Sequence, residues 1–148
     1  MSVELVGFIG AGQMSRSCRF QLTWDQPEGR PASVVGKFPS EDDNTRVSAF
    51  ESGTYLGECS FYADIAKTVD VCTPTCWVAR LDEAQHSFVL IMEDMAGSVQ
   101  GDQFTGSTVD EVALALEQAA GLHAPRWGDP SLAGLPALQP AGEARPRG

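Results

Sequence analysis

The residues with the most chemical potential are Gly10 and Gly12 in Phe8-Ile9-Gly10-Ala11-Gly12-Gln13-Met14-Ser15, the cation of Val34-Val35-Gly36-Lys37, and the carboxylates Glu51 and Glu58. Glycines without Cβ atoms let a backbone turn close over phosphate oxygens. Two arrangements use such a turn. If a helix follows, its N-terminal amides hold the pyrophosphate of a dinucleotide. If an antiparallel strand follows, the turn is a flexible flap over the phosphates of a nucleoside triphosphate. The Ser15 amide or hydroxyl would then cap a phosphate. Lys37 is a lone cation on an apolar strand, suited to the α- and β-phosphates once a helix carboxylate fixes its ammonium. Glu58 stands at a workable distance along the chain for that partnership, and Glu51, about two helical turns earlier, competes for it.

The elements around these residues favour the flap. Val3 to Ile9 is mostly apolar and reads as a strand delivering the glycines. From Arg19 to Trp24 the chain alternates, Phe20, Leu22 and Trp24 pointing one way and Arg19, Gln21 and Thr23 the other, the period of a half-buried strand. The dinucleotide turn instead requires a helix from about Gln13 and an acidic residue about 20 positions on, a role that must be forced onto Glu28. Strand formers at 19–24 and the prolines Pro27 and Pro31 leave that helix and its crossover no room. An NADP-binding Rossmann fragment is therefore the runner-up.

Asp25 to Pro31 has the composition of a turn, and Ala32 to Phe38 reads as a third strand ending near Lys37. Thr45 to Lys67 carries apolar residues at helical spacing, with Gly53 and Gly57 weakening its middle, so the spacing predicts a helix in two pieces. Cys76 to Arg80 and Ser87 to Met92 read as an antiparallel pair. A helix is predicted over Val109 to His123, with Thr108 as N-cap and Asp110 and Glu111 in its first turn. Beyond Trp127, proline, glycine and alanine dominate, and Pro130 to Gly148 is expected to be disordered.

Composition narrows the function classes. The chain has 148 residues, 43% of them hydrophobic, and a formal net charge of −10 with ten Lys and Arg. That is one domain, or one lobe of a larger one, without the clustered cations that nucleic acid or an anionic membrane surface demands. No apolar run approaches the ~20 residues of a membrane span. The start, Met1-Ser2-Val3-Glu4-Leu5, lacks the basic region of a signal peptide, so a cytoplasmic location is expected. Among Cys18, Cys59, Cys72 and Cys76 only the last two are close in sequence, with no second pair or nearby His to complete a zinc site. They are read as small buried side chains in a reducing compartment, with no metal site.

Taken in order, Gly10-Ala11-Gly12-Gln13-Met14-Ser15, Val35-Gly36-Lys37, Glu58-Cys59-Ser60-Phe61-Tyr62 and Phe88-Val89-Leu90-Ile91-Met92-Glu93-Asp94-Met95 resemble the aminoglycoside phosphotransferase and choline-kinase-like family. Leu122-His123-Ala124-Pro125-Arg126-Trp127 is similar to the first helix after that family's hinge. The resemblance implies an α+β, protein-kinase-like small lobe: about five antiparallel strands with one packed helix, then a hinge and one large-lobe helix. It divides the chain into a lobe with hinge over 1–95, a loop and helix over 96–127, and a tail over 128–148. It also implies roles. Gly10, Gly12 and Ser15 would lie over the triphosphate of ATP, Lys37 would bind its α- and β-phosphates, and Glu58 would orient Lys37. Glu93 to Met95 would present hinge backbone to adenine, with Val35 and Met92 packing on the base.

Phosphoryl transfer also needs a carboxylate that takes the acceptor's proton and carboxylate or amide groups that hold magnesium. The family draws these from a His-Gly-Asp segment, its downstream Asn and a later Asp, and this sequence contains no His-Gly-Asp. Asp102, Asp110 and Asp129 read as loop, helix-start and turn residues. No residue is assigned a catalytic role, and no turnover is expected of this chain alone. ATP would bind weakly, magnesium would enter only with the missing lobe, and the acceptor substrate is unreadable. The uncovered face of the lobe and of the Val109–His123 helix is expected to favour a protein partner or self-association. A non-catalytic nucleotide- or protein-binding module is the remaining alternative.

Overall fold

The computed structural model describes residues 1–10, 12–99, 101–102 and 104–139. Five strands, β1 (Ser2–Ile9), β2 (Ser15–Thr23), β3 (Ser33–Pro39), β4 (Cys76–Asp82) and β5 (Ser87–Glu93), form one antiparallel sheet in the order β1-β2-β3-β5-β4. Consecutive strands pair directly except where the helices between β3 and β4 intervene. That crossing lets β5 fold back beside β3. The α+β class and the antiparallel sheet are as expected.

Helix α1 (Asp43–Glu51) starts where the Asp42 side chain accepts the Thr45 amide at 2.8 Å. It stops at Ser52 because Gly53 takes φ of 82°, a conformation cheap only without a Cβ. Helix α2 (Thr54–Ser60) then begins on a new axis, widens into a π turn over Phe61–Ile65 and tightens to a 3-10 turn over Ala66–Thr68. The expected two-piece helix is therefore real, and it breaks at Gly53 alone. Gly57 sits inside α2, where adding a Cβ would meet nothing within 4 Å.

Ladder partners point to the same side of a sheet, so register sorts the faces. Val35 and Lys37 of β3 share the helix-covered face with Leu90 and Met92 of β5 and with Ser17 and Arg19 of β2. On that face Ala49, Tyr55, Cys59, Phe88 and Leu90 make the core, and Tyr55 and Leu90 are sealed from solvent. The apolar row of β2 lies on the other face, where Phe20 and Leu22 pair with Leu5 and Val3. That face is only half-covered: Val3, Leu5 and Phe8 are 55%, 52% and 65% exposed. Alternation alone located the two rows without saying which one the helices would cover.

Helix α3 (Val109–His123) opens on a full capping box. The Thr108 hydroxyl accepts the Glu111 amide at 3.3 Å, and the Glu111 carboxylate accepts the Thr108 amide at 2.7 Å. Its C-terminal half docks on the segment after α2. The Asp70 amide donates to the Gly121 carbonyl at 2.9 Å, and the Cys72 amide donates to Gln118 Oε1 at 2.7 Å. The N-terminal half projects, leaving Val109, Val112, Leu114 and Leu116 exposed. Residues 130–139 belong to the stretch expected to be disordered. Pro130–Gly134 and Pro136–Leu138 are 3-10 turns, the first held by Asp129 accepting the Ser131 amide at 2.8 Å. The rest of the expected tail, 140–148, lies outside the described residues.

Candidate functional site

The turn between β1 and β2 is built by its glycines. Gly10 has φ of 75°, and a Cβ on Gly12 would lie 2.9 Å from the Ser15 carbonyl oxygen, a backbone clash that excludes any side chain from that geometry. Ser15 opens β2 opposite Pro39 of β3. No helix follows Gly12, and β2 runs antiparallel to β1. The runner-up Rossmann reading fails here, because its pyrophosphate site is the N-terminus of a helix after the turn, and among the described residues strand β2 stands in that place. Ala11, at the tip of the turn, lies outside the described residues.

Beneath the turn, Lys37 of β3 forms an ion pair with Glu58 of α2. The two side chains are 24% and 27% exposed, so the pair is partly withdrawn from solvent without being sealed. Glu58, and not Glu51, is the partner: α2 packs over β4 and β5 on the helix-covered face and brings Glu58 within reach of Lys37, whereas Glu51 ends α1 on its exposed side. Val35, two residues before Lys37, is buried beside its ladder partner Met92. The order along this face is thus a glycine turn, a cation held by a carboxylate, then an apolar pair.

At the far end of the face, the stretch Glu93 to Met95 leaves the sheet. Glu93 is tied to the entry of β4, its amide donating to the Thr75 carbonyl at 2.8 Å and its carboxylate accepting the Thr75 amide at 3.0 Å. The Met95 carbonyl accepts the Ser98 amide at 2.8 Å, and the Met95 side chain is exposed. Between them sits a cluster that sequence reasoning missed. Arg19 grips Asp94 with both Nε, at 2.7 Å, and a terminal nitrogen, at 3.0 Å, while the Ser33 hydroxyl donates to the same carboxylate at 2.7 Å. The Asp94 side chain is only 5% exposed. Hydrogen bonding from Arg19, then from Ser33, holds its carboxyl below the usual range against the opposing effect of burial. The available signal was Arg19 itself, a charge inside an alternating strand. Its partner, 75 residues away, carries none.

Cys18 and Cys59 are buried as expected, and Cys76 is half-buried, but Cys72 is exposed. Burial pushes the Cys59 thiol up to about 11, which keeps it protonated and unreactive near neutral pH. Among the described residues no three His, Cys, Asp or Glu side chains converge as a metal cage, and no helix is long and apolar enough to cross a membrane. The chain matches no family model, no curated protein and no solved structure with which it was compared. Its architecture defines it as an α+β protein whose antiparallel sheet presents a glycine turn, a paired lysine and a latched strand exit on one face.

Proposed function

We propose that this chain is the ATP-holding small lobe of a phosphotransferase acting on a small molecule, with the catalytic carboxylate and the magnesium ligands supplied from outside these residues. The observation that carries the reading is the Lys37–Glu58 pair beneath a glycine turn flanked by antiparallel strands. A carboxylate in that position holds the lysine ammonium as a fixed point charge, and the turn above it offers backbone amides to phosphate oxygens. Met92, half-buried beside the buried Val35, supplies the apolar surface for a base, and the Glu93–Met95 stretch supplies hinge backbone. The Arg19–Asp94–Ser33 cluster keeps that hinge in place. Binding is weak, because one cation and some amides face a triphosphate on a chain of net charge −10. Dissociation constants in the millimolar range, about −4 kcal/mol, follow.

Titration of isotope-labelled protein with ATP tests this. Amide shifts should concentrate at residues 10–17, 35–37 and 92–95 and weaken at least tenfold in Lys37→Met. Shifts scattered over the surface, or an unchanged affinity in that variant, would refute the proposal. The exposed apolar residues of α3 favour one addition. Leu114 and Leu116 are two positions apart, hence on opposite sides of the helix, and both are uncovered. Partner polypeptide covering more than one side of α3 accounts for them. Sedimentation of the isolated chain reads this out as self-association, and a monomer at high concentration argues against a second copy as that cover.

A further inference from the structure

Tyr55 is wholly buried on α2, its ring stacked on Phe88 of β5 with centroids 4.3 Å apart and planes inclined by 26°. A phenylalanine would satisfy that packing. The hydroxyl does something else: it donates to the Met14 carbonyl at 2.7 Å and accepts the Ser40 amide at 3.3 Å. A single oxygen therefore joins the far arm of the glycine turn, the exit of β3 and the helix that carries Glu58. Residues 55 and 58 lie about one turn apart on the same side of α2. The ring cannot reorient without vacating the core, so the hydroxyl is a rigid anchor for the turn rather than a flexible tether.

We infer that Tyr55 is a positioning residue whose hydroxyl latches the glycine turn to α2, so that the turn and the Lys37–Glu58 pair move as one unit. The ligand whose binding this would tune rests on the nucleotide reading above; the latch itself does not. Without the hydroxyl, the Met14 carbonyl turns to water and the turn opens independently of the helix. Losing one such bond raises the population of the opened turn about fivefold.

The experiment is Tyr55→Phe, compared with the unaltered chain by amide hydrogen exchange in the free protein and by ATP titration. Exchange at residues 12–17 and 40–42 should quicken about fivefold, with less than a twofold change in the β4–β5 hairpin, and the ATP dissociation constant should rise by a similar factor. Unchanged rates at 12–17 overturn the latch, and so does a uniform rise across every strand, which marks a purely structural role. If neither protein binds ATP, the nucleotide reading falls while the exchange contrast still decides the latch. Should Tyr55→Phe not fold, nuclear magnetic resonance of the unaltered chain decides it: a slowly exchanging Tyr55 hydroxyl proton close to Met14 supports the inference, and its absence overturns it.

Discussion

Removing the charges of Lys37 and Glu58, singly and together, gives the sharpest thermodynamic test of the site. At ~4 Å and an effective dielectric constant of ~20, two unit charges attract by about 4 kcal/mol. Desolvation and the ordering of two side chains offset much of that. Because both groups remain about a quarter exposed, a net coupling of about 1.5 kcal/mol is expected, above the ~0.2–1 kcal/mol of fully exposed pairs. Lys37→Met strands a half-buried carboxylate and Glu58→Gln strands an ammonium, each costing about 2 kcal/mol. The double variant strands neither and should cost about 2.5 kcal/mol, less than the two added together. Urea unfolding of the four proteins measures this directly. The pair of Arg46 with Asp43, whose carboxylate side chain is 82% exposed, serves as an internal contrast and should couple by no more than about 0.5 kcal/mol. A Lys37–Glu58 coupling below about 0.3 kcal/mol, the ordinary error of additivity, would show that the two charges are merely adjacent.

Asp94 yields a pH prediction with a definite sign. Its carboxyl is held below 3.8 in the folded protein, so its stabilisation is complete above that value and is lost as pH falls through the lowered folded value. Asp94→Asn should therefore cost about 2 kcal/mol at pH 7, and the gap from the unaltered chain should narrow as pH falls below the ordinary carboxylate range; a gap that widens in acid contradicts this. In α3, a Cβ on Gly121 would lie 2.7 Å from the Asp70 carbonyl oxygen. Gly121→Ala should undock the helix, costing about 1–3 kcal/mol and exposing 109–123 to rapid amide exchange, whereas unchanged protection would show the contact to be slack. Gly12→Ala should distort the turn alone. ATP-induced shifts at 10–17 should weaken about fivefold while the urea midpoint holds to within about 0.5 kcal/mol, and an equal loss in both would assign Gly12 to the fold instead.

Much of the architecture is local and was legible from residue order. Period-two alternation, helical spacing and the Thr108 cap each express backbone preferences within a few residues, and all reappear as strands, as the α1–α2 pair and as the capping box of α3. The break at Gly53 and the first boundary of the glycine turn belong to the same class, because a positive φ is a property of one residue. The site was legible in its strongest charges only. Lys37 stood out as the cation of an apolar strand, but the choice of Glu58 over Glu51 waited on where the second helix would pack against the sheet.

What tertiary structure decided is everything that depends on two distant segments meeting. Arg19 and Asp94, or Tyr55 and Met14, have no sequence relation beyond the fold that brings them together. Side-chain pairs across a sheet follow from strand order and register, and these are settled by the whole set of apolar residues competing for one core. The same competition left Phe8, Leu114 and Leu116 outside, although their types alone would have placed them within. Residue type states what a side chain prefers. Whether that preference is met depends on how many elements share the available interior, and among the described residues α1 and α2 pack their buried side chains on the Phe88 and Leu90 face of the sheet.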